Sequence, residues 1–453
     1  MTTALVCQIV INSTLLLLVT LYLQKNRRIL SVFLHIDIDS FFASAERSID
    51  PSLKGIPIAV GSRSNLEIFN KKRTNIRVIN DNSGAFVTPV FYSDRRKSFK
   101  SYFIDIIDGK QKIRGIITTA SYEARKCGVK TAMPIAQALQ LCPEMVVVPS
   151  NYPLYHKLSY KIHDFMKKEI PKIEQFSIDE FFGDVSGWIE DEECYSFAQE
   201  LKANMMKKFD IPVSIGISRA KWIAKLATES AKPFGIYEVK DIDAYIENIP
   251  IEAFPGIGKG FQKRLEKRYI KTLGDVKQNK TLFYSWKKPG IQLYHRVTGT
   301  CNEGIENRGA RKSIGISRTF DPINDTDEIR RRIMIMARHI TFLVMQIGVN
   351  PTTFYLKLNY GYGIKVKQSE TINRLFSEHL LKSKLITMYD NIKLSHNGAV
   401  KITINLSNFT SHHRKTLSLL SHAEDTKEKR LSMNIHELRE RFGLDILKTG
   451  NEL

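Results

Sequence analysis

The sequence predicts a multidomain chain of the α+β class, and three observations carry that reading. Short apolar strand-like runs alternate with stretches of helical period over roughly the first half. A glycine-punctuated, basic helical stretch follows. A further strand–helix–strand block then closes the chain. With 453 residues there is room for about three domains of ordinary size.

Taken in order, Val32 to Ile38 reads as a buried strand, and Ser40 to Arg47 as the start of a helix. Ile56 to Val60 is a short strand ended by Gly61. From Arg63 to Arg114 the chain turns irregular and basic, as an inserted surface element would. Strand character resumes at Ile116–Thr119, and Tyr122 to Lys126 begins a helix closed by Cys127-Gly128. Met145 to Val148 is a strand ended by Pro149. Tyr155 to Lys168 is helical, with Tyr155, Leu158, Ile162, Phe165 and Met166 on one side. Ile173–Ile178 and Phe181–Val185 form a hairpin-like pair, Tyr195 to Phe209 a helix, and Val213 to Ile217 a strand. Phe254-Pro255-Gly256-Ile257-Gly258-Lys259-Gly260 leads into a basic helix, Phe261 to Tyr269. Such a turn lets backbone N–H groups approach a phosphate, in the manner of a helix-hairpin-helix gripping DNA backbone. After the charged connection Asn302 to Lys312 come a strand, a basic helix over Asp327–Val344, and strands at Phe354–Asn359 and Val400–Leu406.

Composition narrows the partner. The chain carries 68 Lys and Arg against 47 Asp and Glu, a formal net charge of +21. An excess spread along the sequence favours a polyanion, nucleic acid before membrane. The five cysteines are scattered, with no Cys-x-x-Cys and no histidines at metal spacing, which predicts reduced thiols, a cytoplasmic setting and no zinc site. Residues 1–31 stand apart. Ala4 to Leu23 is nearly continuous apolar sequence followed by Lys25, Arg27 and Arg28. It reads as a membrane anchor, as an extension ahead of a true start at Val32, or as an ordinary packed helix.

Two acidic clusters lie inside apolar runs: Asp37-Ile38-Asp39, and Ser177-Ile178-Asp179-Glu180 ahead of Phe181-Phe182. An ionised carboxylate taken out of water needs a partner. A divalent cation between the clusters would supply one, and two Mg²⁺ ions on shared carboxylates are suited to in-line displacement at phosphorus. Each cluster taken singly is read as readily as a strand end capped by acids.

Four collinear motifs carry a resemblance. Asp37-Ile38-Asp39-Ser40-Phe41-Phe42-Ala43, Ala120-Ser121-Tyr122-Glu123-Ala124-Arg125-Lys126, Ser177-Ile178-Asp179-Glu180, and Gly216-Ile217-Ser218 with Lys221 and Ala224-Lys225 resemble the Y-family DNA polymerases, bacterial polymerase IV and UmuC-type enzymes above all. The resemblance covers about residues 32 to 453. It implies a right-hand polymerase: palm over 32–48 and 149–228, fingers over 49–148 with a basic insertion at about 62–114, a helix-hairpin-helix thumb over 229–305, a linker over 306–312, and a little finger over 313–453. It implies that Asp37, Asp179 and Glu180 are catalytic and hold two Mg²⁺ ions together with the Ile38 carbonyl, Asp39 being structural. Phe41, Phe42, Thr119, Tyr122, Arg125 and Lys221 would bind the nucleotide, with Phe42 as steric gate against a ribose 2′-hydroxyl. Gly256, Gly258 and Lys259 would grip DNA. The implied activity is template-directed, low-fidelity translesion synthesis from dNTPs on primer-template DNA, without proofreading, in repair and damage tolerance, by a monomer.

Departures accompany it. Roughly fifty residues separate Gly61 from the Thr119–Tyr122 motif, where the family has a few. Ala220 stands where asparagine is usual. The tail, Asp445 to Leu453, has no glutamine-led clamp-binding peptide, so a sliding clamp as partner is implied by relatives alone. Two other readings are a nucleotidyl cyclase, which has no need of the helix-hairpin-helix, and a non-catalytic DNA-binding scaffold, which has no need of the acids.

Overall fold

A computed structural model describes residues 31–72, 76–80, 89–93, 98–306, 309–392, 397–410 and 421–453. The apolar stretch Ala4–Leu23, with its alternatives, lies outside these residues, as do the polar runs 81–84 and 94–97. Among the described residues no helix is long and apolar enough to cross a membrane. The chain divides into two compact units. One takes in residues up to 39, 164–174 and 180–306; the other takes in 40–163, 175–179 and 307–453.

The first unit is built on a five-stranded sheet. Its central strand, Phe33–Ile38, is buried at every position, which is why the run reads as continuously apolar. It pairs antiparallel with Glu180–Asp184 on one side and Val213–Ser218 on the other. Ile236–Val239 extends the sheet in parallel beyond Val213–Ser218, and Lys172–Gln175 lies at the other edge. The helix Lys221–Ala231 lies across this sheet at close range. A Cβ on Gly216 would stand 2.1 Å from the Ala224 carbonyl oxygen and 2.6 Å from the Thr228 amide, so only glycine admits the helix there. The far side of the same helix, through Ile223, Leu226 and Ala227, shares a core with a helical bundle that includes Phe254, Ile257, Leu265, Phe283 and Val297. The charged connection after this bundle is pinned. Glu303 accepts hydrogen bonds from Arg296, Gln292 and Trp222, and the Glu306 amide donates to Glu174. Partial burial opposes the Glu303 carboxylate, yet these donors bring its pKa down to about 2.

The second unit holds a three-stranded sheet in the order Ile116–Ala120, Ile58–Ser62, Val146–Pro149, and a four-stranded antiparallel sheet in the order Ser313–Ile323, Ala399–Thr410, Asn350–Tyr360, Lys365–Thr371. The strand expected to stop at Gly61 runs on to Ser62. Two helices, Thr326–Gln346 and Glu378–Asp390, cover the larger sheet. The first, read from sequence as basic, is largely buried. Arg338 is fully enclosed, paired with Asp445 and Glu452 at 2.7 Å each. Lys382 joins the same network through Glu452 and Glu378. The strand Lys365–Thr371, that second helix and the helix His422–Phe442 have no counterpart among the elements expected from the sequence. The strand is an edge strand of alternating exposed and half-buried positions, with Lys365 and Lys367 blunting the edge and Val366 as its apolar contact with the core.

The basic insertion differs most from its sequence reading. In place of an irregular surface element it carries the paired strands Ile76–Ile79 and Val90–Ser93, the helix Phe99–Phe103 and the hairpin Ile104–Ile107 with Lys110–Ile113. Ile68, Phe69, Ile76 and Phe91 are buried in the same core as Ile314, Ile316 and Phe320 of the C-terminal sheet. Arg332 stacks over both the Phe69 and Phe320 rings at 4.6 Å, and Arg114 donates twice to Asp321 at 2.8 Å. The insertion's apolar residues therefore join a core, and its Arg114 makes an ion pair with the C-terminal sheet.

Candidate active site

Strand register brings the first acid of one cluster to the last acid of the other. Asp37 is the Cα partner of Glu180 across neighbouring antiparallel strands, and of Ser214 on the opposite side. Two carboxylates at adjoining, partly buried positions repel unless cations intervene. Here lysines do so. Lys232 Nζ lies 3.0 Å from Asp37 Oδ2, and Lys225 pairs with Glu180 Oε1. Burial opposes the Lys232 ammonium, but Asp37 and Glu229 more than compensate and leave its pKa above the ordinary lysine value.

His35 sits beneath this pair. Its Nε2 is 3.4 Å from Lys225 Nζ and its Nδ1 is 2.8 Å from Thr228 Oγ1. An ammonium has only protons to offer, so Nε2 accepts and the imidazole proton lies on Nδ1. It then donates to Thr228 Oγ1, which passes its own proton to the carbonyl of His35 or Ala224. Burial, reinforced by Lys225 and Lys232, holds the His35 pKa well below the usual histidine value, so the ring is neutral. Lys221, Lys225, Thr228 and Lys232 follow one another at helical spacing, a signal present in the sequence to which no role was given beyond Lys221.

Asp39 is buried, and its Oδ2 accepts from Ser214 Oγ at 2.8 Å and from the Phe234 amide at 3.2 Å. Both bonds tie neighbouring chain segments together. Asp179, peptide-bonded to Glu180, belongs to the second unit, where Ser177 Oγ donates to its Oδ1 at 2.5 Å. Ile38 ends the central strand with its side chain buried. The donors from Asp37, Glu180 and the neighbouring backbone are all oxygen, which suits a hard divalent cation such as Mg²⁺.

Lys221 is not presented as a nucleotide ligand here. It is buried, donating to Glu174 Oε2 at 2.6 Å and to the Gly304 carbonyl at 2.9 Å, over the Phe182 ring. Burial decides this: a lysine under a helical bundle must carry its counter-ion with it.

In the second unit, Phe42 is half-buried and stacks on Tyr155, with ring centroids 4.2 Å apart and planes 11° from parallel. Tyr155 in turn donates to Glu46 at 2.7 Å, and burial followed by that carboxylate pushes the phenol pKa above its ordinary value. The Phe41 ring is buried, so its side chain belongs to the core and only its backbone could meet a ligand. Thr119 lies in the strand Ile116–Ala120. Tyr122 opens the following helix, with the exposed Arg125 guanidinium 4.9 Å over its ring and Arg125 Nε donating to Ala120 O at 3.0 Å. A cavity of about 900 Å³ adjoins the aromatic cluster, with Glu46, Arg63, Tyr102, Val148 and Tyr152 among its lining.

Gly256, Gly258 and Lys259 form an exposed turn in the first unit. Gly256 has φ +101°, and Gly258 is the N-cap of the helix Lys259–Glu266, which starts two residues before the expected Phe261. A Cβ on either glycine would meet nothing within 4 Å, so the backbone lies open to a ligand. Phe254 and Ile257 anchor the turn in the bundle core.

The chain is similar to known proteins over most of its length. The impB/mucB/samB family matches residues 36–229, and its C-terminal domain matches residues 311–419. DNA polymerase IV of Staphylococcus aureus is 27% identical over 367 residues, covering 80% of this chain and 98% of that protein. DNA polymerase IV 1 of Halalkalibacterium halodurans is 28% identical over 442 residues, covering 93% of each. Among solved structures, a Y-family DNA polymerase chimera superposes with a TM-score of 0.64 at 23% identity, over 83% of this chain and 99% of its own. With both parts of the family matched in order on a shared fold, the chain belongs to the impB/mucB/samB family, the Y-family translesion DNA polymerases.

Proposed function

We propose that this polymerase extends a primer 3′-hydroxyl with dNTPs at a two-Mg²⁺ centre on Asp37, Asp179, Glu180 and the Ile38 carbonyl, copying past damaged template in DNA repair. The observation that carries the reading is the Asp37–Glu180 register pair, each carboxylate already matched to a lysine. When bound, the two ions would activate the primer hydroxyl and neutralise charge on the triphosphate and departing pyrophosphate. Lys232 and Lys225 are then counter-ions of the metal-free protein, keeping the acids paired and in place until a cation takes over. Neutral His35 holds Lys225 at its post through Nε2 without adding charge.

Thr119 and Tyr122 would donate hydroxyl hydrogen bonds to the triphosphate, and Arg125 its planar fork. Lys221 reaches the same phosphates only by leaving Glu174, an exchange of one anionic partner for another. The Gly256–Lys259 turn would bind the DNA backbone through its open amides.

Asp179→Ala and Glu180→Ala should each abolish incorporation while primer-template affinity changes little, because affinity comes from distributed phosphate contacts. Primer extension beside a binding titration checks this. Wild-type extension in either variant would remove these residues from the metal site.

A further inference from the structure

Cys127 and Cys142 are far enough apart in sequence to carry no metal signature, and folding brings them together. Cys127 follows the helix Tyr122–Lys126 directly and Cys142 follows the helix Ile135–Leu141. Glu144 stands in the turn after Cys142, where the Met145 amide donates to the Cys142 carbonyl at 3.1 Å. The two sulfurs and a Glu144 carboxylate oxygen all lie within 4.8 Å of one another. Both thiols converge on one atom: Glu144 Oε1 is 3.3 Å from Cys142 Sγ and 3.9 Å from Cys127 Sγ. Tetrahedral zinc, with Zn–S near 2.3 Å and Zn–O near 2.1 Å, sets sulfur and oxygen ligands about 3.6 Å apart. The two observed separations bracket that value.

We propose that Cys127, Cys142 and Glu144 form a binding site for a thiophilic divalent cation of the Zn²⁺ class, with water as the remaining ligand. Two sulfurs select against Mg²⁺, whose ligands are oxygens, so this site would not compete for the ions expected at Asp37 and Glu180. The graded burial suits entry from solvent: Cys142 is buried, Cys127 half-buried and Glu144 exposed. Binding replaces two thiol protons by one dication. Two neutral thiols and a carboxylate become two thiolates and a carboxylate around M²⁺, the cluster keeps its charge of about −1, and two protons pass to solvent. The bound ion would tie together the ends of two helices, the first of which carries Tyr122 and Arg125.

The test uses the full chain, reduced and stripped with a chelator, titrated with Co²⁺ in excess Mg²⁺ so that oxygen-only sites are filled. One Co²⁺ per chain should bind with thiolate-to-cobalt charge-transfer absorption, and Zn²⁺ should displace it. Cys127→Ser, at a half-exposed helix end, should lose the band; Cys301→Ser should keep it; Glu144→Gln should weaken binding by about tenfold or more. Absence of the band in the wild type, or its persistence in Cys127→Ser, would overturn the proposal. So would formation of a Cys127–Cys142 disulfide under mild oxidant by a protein that takes up no cobalt.

Discussion

At the residue scale, the aromatic ring after the first acidic cluster and the lysines opposite it illustrate two kinds of assignment. Phe42 is stacked flat on Tyr155, whose hydroxyl is anchored on Glu46, so the ring cannot tilt away without breaking that contact. A ring held in this way can refuse a hydroxyl, since overpacking a close contact costs about 1–3 kcal/mol. Phe42→Ala should therefore raise ribonucleotide incorporation relative to dNTP about tenfold to a hundredfold, with dNTP incorporation surviving. Matched dNTP and rNTP incorporation efficiencies in the two proteins check this, and an unchanged ratio would make Phe42 a core residue only. Lys221 shows the other kind. Its motif was legible, but its burial beside Glu174 and Gly304 was not, because the partner lies far away in sequence. Lys225 and Lys232, which reach the acids, could have been found from the helical spacing that links them to Lys221.

At the element scale, the insertion between Ser62 and Arg114 is the part whose composition misled. Its lysines, arginines and polar clusters read as solvated surface, yet Phe69 and Phe91 sit in the core of the C-terminal sheet and Arg331 donates to the Phe69 carbonyl at 3.0 Å. An amphipathic strap with only a few large apolar residues has too short a pattern to show a period. Phe69→Ala should destabilise the second unit by about 3–5 kcal/mol, the usual cost of emptying a buried aromatic site. Urea unfolding would measure it, with limited proteolysis cutting the insertion sooner. A loss under about 0.5 kcal/mol, the range of surface substitutions, would return the insertion to the surface.

At the scale of the whole molecule, charge and buried histidines set the response to salt and acid. With a net charge of +21, DNA affinity should fall steeply with salt and depend little on sequence. A flat salt titration would assign the basic excess some other task. His35 in the first unit and His339 in the second are both buried and neutral. Burial, then Arg338, brings His339 to about 3, and burial with two lysines lowers His35. For both, the folded pKa lies below the unfolded one. The stability contributed is therefore full above about pH 6.5 and is lost as pH falls towards the folded values, by about 1.4 kcal/mol per unit for each. Denaturant unfolding between pH 7.5 and 5 should show this slope, and His35→Gln or His339→Gln should flatten it in the unit concerned. Slopes unchanged by both substitutions would count against buried neutral imidazoles.

What the sequence by itself determined is local and collinear: the apolar strand ending at Asp37-Ile38-Asp39, the acids before Phe181-Phe182, the glycine turn before Lys259, and the order of motifs that marks the family. Each is carried by neighbouring residues whose period, charge or backbone freedom is visible in a short window. Only the tertiary structure decided which distant groups meet. Register paired Asp37 with Glu180, one glycine at 216 let a helix bring Lys225 and Thr228 to His35, and two helix ends brought Cys127 to Cys142 and Glu144. The physical reason is that such encounters are fixed by packing over the whole unit, where a buried charge or thiol takes whichever partner the closed core leaves within reach.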